Sequence, residues 1–121
     1  MGESILKEKS YSFALRIVRL VKYFAKEKRE FILGKQILRS GTAIGALVRE
    51  SEFAESKADF IHKLHIALKE AVETDYWLSL LNDSDYIDDK AYQSIKTDCG
   101  ELIALLVTSI KTAKKRRVKN E

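Results

Sequence analysis

Proline is absent from this chain, and glycine occurs only five times in 121 residues. A β-sandwich or barrel of that length needs many tight turns, and tight turns draw on those two residues. Their scarcity points to a few long helices. A single cysteine, Cys99, excludes an internal disulfide and fits a reducing compartment. No apolar run approaches the roughly 20 residues of a membrane span. Met1–Ser10 carries charges where a signal peptide would be apolar. The expectation is a soluble, cytoplasmic protein with no membrane association.

What is present is enough for one compact domain over residues 1–121: 45% hydrophobic and 33% charged residues. The net charge of +4 is unevenly placed. Lys111, Lys114, Lys115, Arg116, Arg117 and Lys119 stand against one acid, Glu121. The basic character therefore belongs to a tail, about 111–121, and not to the body.

Apolar residues recur at helical spacing in four segments. The first runs from about Ser10, taken as an N-cap, to Glu27, carrying Ala14, Ile17, Val21 and Phe24; residues 1–9 read as a lead. Lys26–Glu30 is a short connection. The second segment carries Leu33, Ile37, Ile44 and Val48 and ends near Ser51. Its middle, Ser40-Gly41-Thr42-Ala43-Ile44-Gly45-Ala46, is almost all small. Two interior glycines oppose a helix by about 1 kcal/mol each. They make sense where a second helix comes close; a loop is the competing reading. The third segment opens at Ser56-Lys57-Ala58-Asp59, a serine followed three residues later by an acid, as at helix starts. It carries Phe60, Leu64, Ala67, Ala71, Leu78 and Leu81. Asn82–Asp85 is a turn by composition. Asp88 then caps the fourth segment, with Ile87 and Tyr92 spaced as a hydrophobic staple; Ile95, Cys99, Leu102 and Leu106 follow. Four helices with three short connections give an all-α, antiparallel up-down-up-down bundle.

Candidate sites are few. His62 and His65 with Asp59 offer a conceivable metal site, but no Glu-x-x-His pair or His-Glu-x-x-His motif supports it; two half-exposed helix residues are the plainer account. No metal and no cofactor are expected. Asp75 falls near the apolar stripe. Arg39 on segment two and Glu73 on segment three suit an ion pair between helices, with Gly41, Gly45 and Glu50 alongside as packing and pairing positions. Cys99 lies on a core stripe, as inert packing cysteines do. Tyr76 and Trp77 extend the third stripe sideways, either as core or as a subunit interface rich in aromatics. The tail lysines and arginines would contact phosphates or form a solvated helix end. No constellation meets the criteria for catalysis, so no enzyme is expected.

At Arg39-Ser40-Gly41-Thr42-Ala43-Ile44-Gly45-Ala46 the sequence resembles the bacterial four-helix bundle family named for 23S rRNA intervening sequences. The likeness continues through Glu50, Ser56-Lys57, Asp59-Phe60-Ile61, Lys63-Leu64, Ile66–Ala71, Glu73 and Tyr76-Trp77-Leu78. Asp85-Tyr86-Ile87 and Cys99-Gly100-Glu101-Leu102 extend it. The family usually has serine where Ala43 stands and asparagine where Leu47 stands. The resemblance implies a ring-like homo-oligomer, a pentamer, with a link to rRNA. A similar bundle, an accessory protein of reverse transcriptases in diversity-generating retroelements, forms a basic pentameric barrel that binds nucleic acid. The expected function is a non-enzymatic oligomer binding RNA through its tails; the alternative is a protein-interaction scaffold or accessory subunit.

Overall fold

The computed structural model describes residues 2–120 of the backbone and the side chains of residues 5–118. Among them it contains four long helices and no strand: α1 Gly2–Tyr23, α2 Ile32–Ser51, α3 Lys57–Asp83 and α4 Asp89–Asn120. The all-α bundle expected from sequence is the fold observed.

Cross-helix contacts fix the direction of each helix. Ile17 and Ser10 on α1 abut Gly41 and Gly45 on α2. Ser40 and Glu50 on α2 meet Thr74 and Lys63 on α3. Ala71 and Ser79 on α3 meet Cys99 and Tyr92 on α4. Residue numbers rise on one helix as they fall on the next, so successive helices are antiparallel. Arg16 bonds Ser94 and Asp98, and Lys9 bonds Glu101, closing α1 onto α4 in the same sense.

The glycine-rich middle of the second segment is helix, not loop. A Cβ added to Gly41 would lie 2.8 Å from Ile17 Cγ1 and 3.0 Å from its Cγ2. At Gly45 the nearest atom is the Ser10 carbonyl oxygen, at 3.3 Å. The backbones of α1 and α2 crowd together here because these residues have no side chain.

Two boundaries differ from the sequence reading. Helix α1 begins at Gly2, so residues 2–9 are helix and not a lead. Ser10 caps nothing: it is buried within the helix, its hydroxyl donating to the Lys7 carbonyl at 3.1 Å. The reason is Leu6, 2% exposed, which continues the stripe of Ser10, Phe13 and Ile17 one turn earlier. At the other terminus α4 runs on to Asn120, with Ala113 still buried. The basic segment therefore continues a helix.

Local chemistry sets the connections. Helix α1 ends in a wide π-type turn, Phe24–Lys28, stopped by Arg29 in the left-handed region at φ 54. The Glu30 carboxylate then accepts from the Ile32 and Gly34 amides at the start of α2. Ser56 accepts from the Asp59 amide, and Asp59 reaches back to the Glu55 amide, each at 3.1 Å, a reciprocal cap for α3. Asp88 accepts from the Ala91 amide at 2.8 Å, with Ile87 and Tyr92 both buried. The turns after α1 and α3 share one end of the bundle, where Tyr23 and Lys28 line a hollow with Asp85 and Asp88.

Candidate functional site

Helices α2 and α3 carry the densest polar cluster. The Arg39 guanidinium pairs with Glu73 and lies 3.1 Å from a Glu70 oxygen. Glu73 also accepts from the Trp77 indole N–H at 3.1 Å. Glu70, Glu73 and Trp77 are three and four residues apart, so one helix face presents all three to α2. Beneath them the wholly buried Thr74 hydroxyl bonds the Ser40 hydroxyl at 2.9 Å and the Glu70 carbonyl at 2.7 Å. With its donors taken up, this cluster works as a helix clamp. Glu50 is placed elsewhere: it is exposed, 3.6 Å from Lys63.

Tyr76 and Trp77 part company. Trp77 is half-buried against the core, whereas Tyr76 is 59% exposed and packs edge-on against the indole, centroids 5.1 Å apart. Adjacent helix residues point about 100° apart, which composition alone does not resolve. Tyr76 instead belongs to an exposed apolar stripe with Val72 and Leu80.

Cys99 is buried, its thiol donating to the Ala71 carbonyl at 3.4 Å. Burial, and then the nearby Asp75 carboxylate, push its pKa up to about 12. A thiol held neutral in this way is a poor nucleophile. Lys96 donates to the Tyr92 hydroxyl at 3.0 Å; that bond, with Asp75, raises the lysine pKa. His62 is exposed and His65 half-buried. Among the described residues no group of three or more His, Cys, Asp or Glu is placed to hold a metal. The hollow lined by Leu6, Val48, Phe60, Leu64 and Ser109 encloses about 10 Å³, room for about one water.

The basic run sits on the last turns of α4. Lys111, Lys114, Lys115 and Arg116 are exposed. The first three share one face by their spacing. Ile110 and Ala113 are buried beneath the run, and Arg117, four residues after Ala113, is exposed like the other cations. The Lys119 side chain lies outside the described residues. The described part of the run, Lys111 to Arg117, therefore presents all five of its cations to solvent from a continuous helix. No described helix is long and apolar enough to cross a membrane.

The family model for 23S rRNA-intervening sequence proteins matches residues 3–108. Residues 109–121, with the basic run, lie outside that match. A crystal structure of a protein of unknown function from the S23 ribosomal protein family of Bacteroides thetaiotaomicron is 54% identical. The likeness covers 92% of this chain and 99% of that one, with a TM-score of 0.91. No curated protein matches the chain.

Proposed function

The chain belongs to the 23S rRNA-intervening sequence protein family, and from that premise we propose a non-enzymatic bundle that assembles with copies of itself and binds nucleic acid. The nucleic acid is rRNA or another RNA, held by the outward basic face of α4. The assembly is the pentameric ring that the resemblance implies, and its place is the cytoplasm.

One observation carries the reading: α4 stays helical through its basic run while Ile110 and Ala113 remain packed. Lys111, Lys114, Lys115 and Arg116 are thereby displayed on a rigid surface, so binding phosphates costs less ordering entropy than it would from a free tail. Assembly would multiply each weak contact by the number of subunits. The helix clamp at Arg39, Glu70 and Glu73 and the neutral Cys99 offer no activated group, which favours binding over catalysis.

The test changes Lys111, Lys114, Lys115 and Arg116 together to glutamine and measures RNA affinity across salt concentrations. Each phosphate neutralised on single-stranded RNA contributes about 0.7 to the log–log salt slope, so removing four cations lowers it by roughly 3 per subunit engaged. An unchanged affinity and slope would overturn the reading. That outcome would favour the accessory-subunit alternative, in which the exposed Val72, Tyr76 and Leu80 stripe meets another protein.

A further inference from the structure

Two exposed stripes lie on opposite corners of the bundle and have the same spacing. On α1 the stripe is Glu8, Tyr11, Leu15, Arg19 and Lys22; on α3 it is Lys69, Val72, Tyr76, Leu80 and Asp83. Each follows intervals of three, four, four and three, which keep it on one helix face. All ten side chains are exposed, with Tyr11 55%, Leu15 39%, Val72 54% and Tyr76 59% accessible. Each stripe has apolar residues within and a charge at either end, with Arg19 on α1 standing where α3 has Leu80. The polarity is opposite: acid to base along α1, base to acid along α3. Among the described residues Glu8, Lys22, Lys69 and Asp83 make no ion pair.

We propose that the α1 stripe of one subunit docks on the α3 stripe of the next, head to tail. This rests on the self-association reading and assigns its surfaces. Helices α1 and α3 run in the same direction, both being antiparallel to α2. Laid side by side between two copies, they place Glu8 against Lys69 and Lys22 against Asp83. Tyr11 and Leu15 then meet Val72 and Tyr76.

The two stripes also lie at nearby levels. Ile17 and Thr74 lie at about one height, because both reach the Ser40–Gly41 step of α2. Setting Leu15 on Tyr76 slides the neighbour by four residues, roughly 6 Å at 1.5 Å per residue. A head-to-tail contact closes into a ring where each step also turns the neighbour, and runs on as an open filament where it does not. Each stripe could also pair with itself, antiparallel about a two-fold axis. Two-fold contacts give even numbers of subunits, whereas a ring of five needs a head-to-tail contact, which is therefore the one consistent with the proposed assembly.

Two variants separate the cases: Leu15→Glu, which spoils the α1 stripe, and Tyr76→Glu, which spoils the α3 stripe. Both positions are exposed, and circular dichroism checks that each variant folds. Expected by light scattering is an assembled wild type, each variant alone at one subunit mass, and an equimolar mixture at about two. The mixture retains one good interface, between the intact α3 stripe of one variant and the intact α1 stripe of the other. A dimer of either variant alone would replace this contact with two-fold pairing. Variants that keep the wild-type mass, or a mixture that stays monomeric, would overturn the contact and leave self-association standing. A wild type at one subunit mass at every concentration would overturn both. A second pair is independent of the apolar changes: Lys22→Glu should weaken assembly and added Asp83→Lys should restore it, whereas restoration by Glu8→Lys instead would indicate α1 paired with α1.

Discussion

Replacing Gly41 with alanine tests the close approach of α1 and α2. Two effects oppose each other. Alanine favours helix by about 1 kcal/mol over glycine. Its Cβ would sit 2.8 Å from Ile17 Cγ1, 3.0 Å from Cγ2 and 3.3 Å from Cβ. Those three atoms surround one branch point, so rotating Ile17 moves one away only by bringing another in. Ile17 is fully buried and its β-branched χ1 is stiff, leaving displacement of α1 as the remaining relief. Overpacking of this kind costs about 1–3 kcal/mol, and here the upper part of that range applies. The net expectation is destabilisation by about 1–2 kcal/mol, or a Tm lowered by about 4–8 °C in a domain of this size. Thermal unfolding followed by circular dichroism reads it. Gly100→Ala is the matched control: nothing lies within 4 Å of its Cβ, so it should stabilise by about 0.5–1 kcal/mol. Gly45→Ala, meeting Ser10 at 3.3 Å, should fall between them. In an Ile17→Ala background the cost of Gly41→Ala should vanish, as coupling between touching residues requires. A Gly41→Ala protein as stable as Gly100→Ala would refute the crowding argument.

Asp88→Ala removes the acceptor for the Ala91 amide and should cost about 1 kcal/mol, read as a lower denaturant midpoint with an unchanged slope. Thr74→Val should cost about 1–3 kcal/mol because it orphans a buried Ser40 hydroxyl, whereas Arg39→Ala should cost under about 1 kcal/mol because the guanidinium is half exposed; the reverse order in chemical denaturation would contradict the weighting of buried over exposed contacts. Cys99 should resist alkylation at neutral pH until the protein unfolds, and rapid labelling of the native state would count against its burial. Its folded pKa, about 12, exceeds the ordinary 9.0, so its contribution to stability is complete below pH 9 and declines as pH rises from there toward 12.

Apolar periodicity located all four helices, and the caps at Ser56 and Asp88 were readable because capping is local chemistry. Ser10 misled because a serine at a helix start and a small serine under a crossing helix look alike; Leu6 was the residue that distinguished them. The lysine run after Ile110 carries no apolar pattern of its own, so the continued packing of Ala113 was visible only in three dimensions. Complementary charge made Arg39 and Glu73 foreseeable partners, but Glu70 joins them through the relative rotation of α2 and α3. The paired stripes on α1 and α3 were hidden for a different reason. An exposed Leu15 and a buried Ile17 are equally apolar in sequence, and only burial separates the outward face from the core.

Self-association and RNA binding through the basic face of α4, both proposed above, can be measured together. Light scattering of the full chain across salt concentrations, with and without RNA, tests them most directly. Expected are one multimeric mass in the absence of RNA, a larger mass with RNA at low salt, and return to the protein-only mass as salt rises. A mass of one subunit throughout, or an RNA complex indifferent to salt, would contradict them.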